Sequence, residues 1–361
     1  MCRVLSAKYC LAYKIWAYPP AAPAAPRLAP YLCAAARRAF FTQYHSVYLH
    51  HAAAYLPEAV VTNAHFTRLN GLASEWIIER TGIQERRKAG PGENANTMAI
   101  AATRAALAAA PAFAAASVDL IVAGTYTPHD TIFTAAHAVQ RDLGVNEIPT
   151  VSISSACSSL LNAVEIVEGY FAMGKATRAV VVVSEHNTAY NNEEDTMAGH
   201  LWGDGAATLL ISKERLSPDD LSIKEVITGG AAPVGKADEA VTLKPVEKGI
   251  VMPFGRDVFQ QACIYMAKVT QTLLDRHHIA INDLTYLIPH QANLRIPKNV
   301  VKQLGLDPAR AVNNIERLGN TGCAGAAIGL AEVWDTLRSD DNVIITVFGG
   351  GYSYGAMLLN K

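Results

Sequence analysis

Short runs of Val, Ile and Leu alternate along most of this 361-residue chain with longer stretches rich in Ala and other small residues. The runs are nearly continuous, without regular polar positions, which is typical of strands that helices cover on both faces. Alternating strands and helices predict an α/β fold. The predicted strands are Leu120–Thr125, Val180–Ser184, Ala207–Ile211, Leu284–Ile288 and Val343–Phe348. The predicted helices are Thr97–Ala110, Ser158–Met173, Val258–Arg276, Pro297–Leu304 and Ala324–Arg338.

Composition narrows the classes of protein that remain. Hydrophobic residues make up 50% of the chain and charged residues 17%, which suits a large core and excludes a disordered chain. A formal net charge of −1 predicts no general affinity for nucleic acid or for a membrane surface. The six cysteines are scattered without CxxC spacing, which argues against disulfides and zinc and favours a cytoplasmic protein.

Residues 1–46 differ from the rest of the chain. No Asp or Glu precedes Glu58, while Ala, Pro and basic residues are frequent. Organelle transit peptides share such a composition, but the prolines would interrupt any helix. We interpret residues 1–46 as a disordered or wrongly assigned N-terminal extension.

The body is predicted to consist of two similar halves, 47–215 and 216–361. Segments 151–170 and 312–334 each place a small-residue turn and a Cys ahead of a helix, as duplicated units would. The charged stretch 212–221 is the predicted junction between the halves.

Cys157 is the first candidate catalytic residue. It follows an apolar run and precedes a helix, within Ser154-Ser155-Ala156-Cys157-Ser158-Ser159. The free N–H groups and partial positive charge of a helix N-terminus favour a thiolate, and exposed nucleophiles recur at strand-to-helix turns. From this segment alone, a buried structural cysteine is an equally good interpretation.

His290, Asn320 and Gly350 are further candidates, and each is weak alone. His290 ends a predicted strand, where the sites of α/β sheets gather, but any of the eleven histidines can also be packed or exposed. Asn320 precedes a helix, which also fits a turn or a helix cap. Gly350 lies in a glycine triplet that lets backbone N–H groups approach a ligand, or that forms a hairpin. Their combination makes a catalytic site the better interpretation.

A series of motifs follows in order along the body: Tyr55-Leu56-Pro57, Trp76-Ile77, Arg80-Thr81-Gly82-Ile83, Ala156-Cys157, Gly203-Asp204-Gly205-Ala206, Pro289-His290-Gln291-Ala292-Asn293, Gly319-Asn320-Thr321 and Phe348-Gly349-Gly350-Gly351. Through these motifs, nearly the whole body, from about Val47 to Leu359, resembles the ketoacyl synthase III family. The resemblance implies a thiolase-like, five-layered fold of two duplicated α/β halves and a homodimer.

The resemblance also implies the chemistry, a decarboxylative Claisen condensation that forms a β-ketoacyl product. Cys157 would carry the acyl group, while His290 and Asn320 would donate hydrogen bonds to the thioester oxygen of a malonyl extender. The N–H groups of Cys157 and Gly350 would form the oxyanion hole. Coenzyme A or phosphopantetheine thioesters are then the substrates, acyl carrier protein is a partner, and no metal or organic cofactor is required.

Several residues match binding positions of the family. Those that would contact coenzyme A or the acyl substrate are Trp76, Arg80, Ile132 and Phe348. Those that would dock the acidic carrier protein are Arg295, Arg256 and Lys302. Ile132 stands where many relatives have Phe and Ser158-Ser159 follow the Cys where Ala-Gly is frequent, so the length of the primer stays open. Cys323, where Ala is frequent, is interpreted as a small core residue.

Three other functions are compatible with parts of this pattern. A ketosynthase III of secondary metabolism would join two acyl chains or transfer an acyl group to an alcohol or amine. A cysteine hydrolase also uses Cys, His and Asn, but the papain-type signature is missing around Cys157. A catalytically inactive partner subunit would not need Cys157, His290 and Asn320 together.

Overall fold

The computed structural model describes residues 47–244 and 249–361, and the extension predicted at 1–46 lies outside these ranges. Its strands are β1 Val47–Tyr55, β2 Ala59–Thr62, β3 Glu85–Lys88, β4 Leu120–Gly124, β5 Thr150–Ile153, β6 Arg178–Glu185, β7 Gly205–Ser212, β8 Leu221–Gly230, β9 Leu284–Pro289, β10 Asn342–Gly349 and β11 Ser353–Asn360. Its α-helices are α1 Asn63–Asn70, α2 Ser74–Thr81, α3 Ala95–Ala109, α4 Ala135–Leu143, α5 Ser159–Ala172, α6 Asn187–Tyr190, α7 Ala237–Ala240, α8 Gly255–His277, α9 Arg295–Leu304, α10 Ile315–Leu318 and α11 Ala324–Val333. Short 3₁₀ turns are Ala115–Ser117, Ile281–Asp283, Pro308–Arg310 and Trp334–Thr336.

The order of the strands repeats between the first and second parts of the chain. The large sheet runs β5-β4-β6-β7-β1-β8-β11-β10-β9, and β2 pairs with β3 separately. In the first part β4 lies parallel to β5 and β6, while β7 is antiparallel to β6 and β1. In the second part β10 is parallel to β9, and β11 is antiparallel to β10 and β8. The second part has no full strand equivalent to β5 among the described residues. In its place, Ala311 forms a single parallel bridge with Leu287 of β9.

Helices form layers between and outside the two groups of strands. Helix α5 packs on β4 and β6 of the first group and on β8 and β11 of the second, and α11 likewise contacts strands of both groups. Helices α3 and α4 cover the outer face of the first group, and α8 covers β10 and β11 of the second. The layers are therefore outer helices, the first group of strands, the central helices α5 and α11, the second group of strands, and an outer helix. These five layers confirm the predicted fold class.

The sequence of α11 explains its central position. Residues 324–330 are all buried, and they are Ala, Gly, Ile or Leu. A helix that is apolar on every side belongs in the interior. Its small residues allow close approach, since a Cβ on Gly329 would lie 3.0 Å from Ile288 Cγ2 of β9.

The five strands and five helices predicted from the sequence are all present, with ends that differ by a few residues. Strand β1 was missed because His50 and His51 interrupt its apolar pattern, and β5 was missed because it has only four residues. The division into halves after position 215 stays a prediction, and this position lies in the connection between β7 and β8. None of the helices in the described ranges is long and apolar enough to cross a membrane.

Candidate active site

Cys157 lies in a tight turn between β5 and α5. The preceding Ala156 has φ 48°, in the left-handed region that non-glycine residues rarely adopt. The turn is held by hydroxyl groups: Ser159 Oγ accepts from the Ser155 N–H at 2.8 Å and donates to the Ala156 carbonyl at 2.7 Å. Ser158 Oγ donates to the Ser155 carbonyl at 2.7 Å. The two serines that depart from the family pattern therefore brace the turn that presents Cys157.

The end of β10 lies directly against this turn. Side chains of β10 alternate between the central core, as Val347 does, and the outer core, as Phe348 does. Gly349 follows on the central side, where a Cβ would lie 2.7 Å from the Cys157 backbone nitrogen. A Cβ on Gly350 would lie 3.7 Å from Ala156 Cβ. The structure thus brings the predicted oxyanion-hole residues Cys157 and Gly350 together.

Asn320 lies in the loop between α10 and α11. Its backbone is fixed by hydrogen bonds from its N–H to the Leu201 carbonyl at 2.8 Å and from the Gly203 N–H to its carbonyl at 3.1 Å. Its side-chain oxygen accepts from the Gly322 N–H at 3.0 Å. Because this bond uses the oxygen, the amide N–H₂ is the group that can donate to a substrate.

His290 follows β9, and its N–H donates to the Thr346 carbonyl of β10 at 2.8 Å. Its side chain is buried, and burial lowers its pKa to about 4, so the ring is neutral at pH 7. Its Nδ1 has no hydrogen-bond partner within the described residues. The next residue, Gln291, packs beside the Asn320 loop, since a Cβ on Gly325 would lie 2.9 Å from Thr321 Oγ1 and 3.2 Å from Gln291 Cβ.

Glu185, at the end of β6, has a buried carboxyl group that connects the loop after β4 with the start of α11. It accepts from the Thr125 hydroxyl at 3.1 Å and the Thr127 N–H at 3.1 Å, and Cys323 Sγ donates to it at 2.9 Å. Burial raises the pKa of Glu185 to about 7, and the hydrogen bonds from Cys323 and the two threonines act in the opposite direction. Sequence reasoning missed Glu185, although an acid at the end of a buried Val-rich strand was a usable signal. Cys323 is buried as predicted, and it also has this polar contact.

The protonation state of Cys157 differs from the sequence expectation of a favoured thiolate. Burial raises the pKa of the thiol to about 12, and the nearby Glu185 charge adds to the shift. The Tyr126 hydroxyl and the N–H of Cys157 lower this pKa, but by less. Desolvation is therefore the dominant effect on the pKa of Cys157, and Cys157 rests as a thiol.

The predicted nucleotide-binding residues lie together on α2. The Arg80 guanidinium carbon lies 4.9 Å from the centroid of the Trp76 ring, and Arg80 is exposed. Arg295, at the start of α9, is adjacent: its guanidinium donates to the Glu79 carbonyl at 2.9 Å. The predicted docking residues Arg256 and Lys302 are exposed on α8 and α9.

The two predicted acyl-binding residues differ in position. Ile132 is 86% exposed in the loop between β4 and α4. Phe348 is buried in the outer core, where its ring lies 4.9 Å from Tyr352 and 6.0 Å from Tyr265. The substrate-binding roles of Ile132 and Phe348 both stay predictions.

Within residues 47–244 and 249–361, no group of three or more His, Cys, Asp or Glu side chains has an arrangement that would hold a metal ion. The prediction that catalysis needs no metal or organic cofactor is not tested by this observation and stays a prediction.

Comparison with known proteins places this chain among named relatives. The family model for 3-oxoacyl-[acyl-carrier-protein] synthase III matches residues 151–227, and the model for its C-terminal part matches residues 274–361. A β-ketoacyl-[acyl-carrier-protein] synthase III from Desulfotalea psychrophila is 32% identical over 312 residues, 84% of this chain and 96% of the relative. One from Rhodospirillum centenum is 33% identical over 315 residues, 85% of this chain and 96% of the relative. The crystal structure of 3-oxoacyl-[acyl-carrier-protein] synthase III from Aquifex aeolicus VF5 superposes with a TM-score of 0.81 and 29% identity, covering 87% of this chain and 100% of that one.

Proposed function

Because this chain belongs to the β-ketoacyl-[acyl-carrier-protein] synthase III family, we propose that it condenses an acyl group carried on Cys157 with a malonyl thioester held by an acyl carrier protein. It is an acyltransferase of the ketosynthase III type, as the sequence predicted. The observation that carries the assignment of the site is the Cys157 turn (residues 154–158), seated against Gly349 and Gly350 at the mouth of α5.

In the first step the Cys157 sulfur attacks the carbonyl carbon of an acyl thioester. The N–H groups of Cys157 and Gly350 donate hydrogen bonds to the carbonyl oxygen and stabilise the negative charge that develops on it. One such donor lowers the activation free energy of acyl transfer by about 3–4 kcal/mol. The carbon–sulfur bond to the departing carrier breaks, and the proton of Cys157 is transferred to that thiolate. The products are an acyl-enzyme and a free carrier thiol.

In the second step a malonyl thioester loses CO₂ and leaves an enolate. A neutral His290 and the Asn320 amide each have an N–H that can donate to the enolate oxygen, which stabilises the charge without transferring a proton to it. The enolate carbon attacks the acyl carbonyl on Cys157, and the Cys157 sulfur leaves as a thiolate that takes up a proton.

The remaining partners belong to the same proposal. Arg80 and Trp76 suit an adenine nucleotide, since a guanidinium over an indole offers stacking and positive charge together. Exposed Arg295, Arg256 and Lys302 suit an acidic carrier protein. We also propose that the enzyme acts as a homodimer in the cytoplasm.

Acyl loading tests the assignment of the nucleophile. The intact protein is exposed to a panel of acyl-coenzyme A and acyl-carrier thioesters and weighed by mass spectrometry. We expect the mass of one acyl group on the wild type and none on Cys157→Ser, while Cys263→Ser, which lies in the outer core, should load as the wild type does. A mass gain that persists in Cys157→Ser would overturn the assignment.

Release of CO₂ separates condensation from simple acyl transfer. The loaded wild-type enzyme is given a malonyl thioester carrying a labelled carboxylate, and condensation releases the label. Loading without such release, followed by transfer to an alcohol or amine, would instead support the secondary-metabolic alternative.

A further inference from the structure

Ser158 and Ser353 form a pair of hydroxyl groups that the proposed mechanism does not use. Their Oγ atoms lie 2.7 Å apart, although the two residues are 195 positions apart in the chain. Each oxygen also lies within hydrogen-bond distance of the Ser155 carbonyl, at 2.7 Å for Ser158 and 2.9 Å for Ser353. A hydroxyl has one proton to donate, so one serine donates to the other and the other donates to this carbonyl.

This hydroxyl pair joins the two segments that carry the proposed oxyanion hole. Ser158 directly follows Cys157, while Ser353 begins β11, three residues after Gly350. The Ser353 Oγ also lies 3.3 Å from the Gly350 carbonyl oxygen. Among the described residues, every hydrogen bond between the Cys157 turn and residues 342–360 involves Ser353. The hydroxyl pair is therefore the polar link between the two proposed N–H donors.

Packing alone does not fix the position of these donors. Gly349 lets the end of β10 approach the Cys157 turn, but close packing sets only the smallest separation of the two segments. A directional hydrogen bond also limits how far they can move apart. Such control matters because both donors of an oxyanion hole must lie about 2.7–3.1 Å from the same oxygen. Ser158 stands where Ala is frequent in the family, and Ala has no hydroxyl, so this link is particular to the present sequence.

We propose that Ser158 and Ser353 are positioning residues, whose hydroxyl pair holds the Gly350 N–H and the Cys157 N–H so that both donate to the same carbonyl oxygen. The pair acts through these N–H groups and has no contact with the thioester. Its contribution is largest when negative charge develops on the oxygen, so its loss should lower the rate of acyl loading and leave thioester binding unchanged. This inference rests on the proposed function, in which the two N–H groups form the oxyanion hole.

Acyl loading of Ser158→Ala, Ser353→Ala and the double variant tests the pair. The rate is followed by quenched-flow mass spectrometry at increasing concentrations of acyl-coenzyme A. Each single variant should lower the maximal rate about ten-fold, since a displaced donor costs less than the hundred-fold or more of a missing one, and the half-saturating concentration should not change. The double variant should be no slower, because either substitution breaks the same link, and additive losses would contradict a pair. Ser353→Thr, which keeps the hydroxyl, should load close to the wild-type rate.

Alkylation of Cys157 by iodoacetamide distinguishes a displaced oxyanion hole from a displaced sulfur. In this reaction the sulfur replaces iodide at a saturated carbon, and no oxyanion forms. Both alanine variants should therefore alkylate at the wild-type rate. Equal slowing of loading and alkylation would overturn the inference, because the serines would then position the sulfur itself.

Thr228→Val is the matched control, because the Thr228 hydroxyl donates to Glu165 and so joins β8 to α5, about two turns beyond Ser158. This variant should load and alkylate as the wild type does. Wild-type loading by both alanine variants would overturn the inference and leave the proposed function intact. A wild type that takes up no acyl group would overturn the proposed function, and the inference with it.

Discussion

Burial controls the charge of the side chains at the centre of the site. It keeps Cys157 as a thiol and His290 as a neutral ring, by raising the pKa of the first to about 12 and lowering that of the second to about 4. Neither group helps the reaction by carrying a permanent charge. The reaction therefore depends on donors that are already in place, such as Gly350 N–H and the Asn320 amide, when charge develops.

The lowered pKa of His290 predicts a dependence of stability on pH. In the unfolded chain the ring takes up a proton as the pH falls through its usual pKa of 6.5, while in the folded protein it stays neutral until about 4. The unfolded state then binds more protons, so the contribution of His290 to stability is lost as the pH falls from 6.5 toward 4. Glu185 has the opposite trend, because its pKa is raised to about 7, so only a comparison of variants isolates His290.

The comparison uses His290→Gln and urea unfolding at pH 7.5 and pH 5. From pH 7.5 to pH 5, the unfolding free energy of the wild type should fall by about 2 kcal/mol more than that of His290→Gln. His137→Gln, on the partly exposed face of α4, is the control and should show no such shift. A difference that stays constant between the two pH values would contradict a neutral, buried His290.

Some residues of the site could be predicted from sequence and others could not. Cys157, His290 and Asn320 stand in short motifs whose order is specific. Glu185 stands at a strand end without a motif, and its contacts with the end of β4 and with the loop before α11 are ones that only the folded chain makes.

At the scale of elements, the meeting of β10 with α5 determines the geometry at Cys157. Strand alternation places Gly349 on the central side, where only hydrogen fits beside the backbone of the Cys157 turn. The sequence predicted both elements from their apolar patterns. It could not predict their contact, because β10 and α5 are separated by most of the second half of the chain.

Gly349→Ala tests this contact. The new Cβ would lie 2.7 Å from Cys157 N and 3.0 Å from Ser158 N, both backbone atoms, so the turn must shift. We expect unfolding free energy to fall by about 1–3 kcal/mol, as for overpacked cores. Acyl loading should slow by about a hundred-fold, since displacements near 1 Å have such effects.

Gly230→Ala, at the end of β8, is the matched control for Gly349→Ala because no atom lies within 4 Å of its Cβ position. Loading rates and urea midpoints close to the wild-type values are expected for it. Wild-type loading by Gly349→Ala would show that the turn is not held by β10.

At the scale of the whole molecule, repetition of strand order explains why the site lies at the centre. Helices α5 and α11 occupy equivalent places in the two parts, and Cys157 and Cys323 stand at their starts. The sequence showed this repetition only as a faint similarity between two segments. Strand order is a property of long-range pairing, which explains why the duplication is clear in the sheet and weak in the residues.

The proposed homodimer makes its own prediction through Ile132. Ile132 is 86% exposed, and covering such a side chain with a second copy would contribute to the stability of a dimer. The loop that carries Ile132 starts at Thr125 and Thr127, whose hydrogen bonds to Glu185 tie it to the candidate active site, so a partner on Ile132 would contact this same loop. We therefore expect the wild type to sediment as a dimer at micromolar concentration.

Ile132→Asp should weaken that dimer, since it would bury an unpaired charge, and sedimentation velocity over a range of concentrations measures the loss. Met173→Asp is the matched control: Met173 is 59% exposed at the far end of α5, away from the Cys157 turn, and its replacement should leave the dimer intact. Monomer formation by Ile132→Asp with slower acyl loading would support a loop that is completed by the second copy. An unchanged dimer would place the interface elsewhere, and a monomeric wild type would remove the homodimer from the proposal.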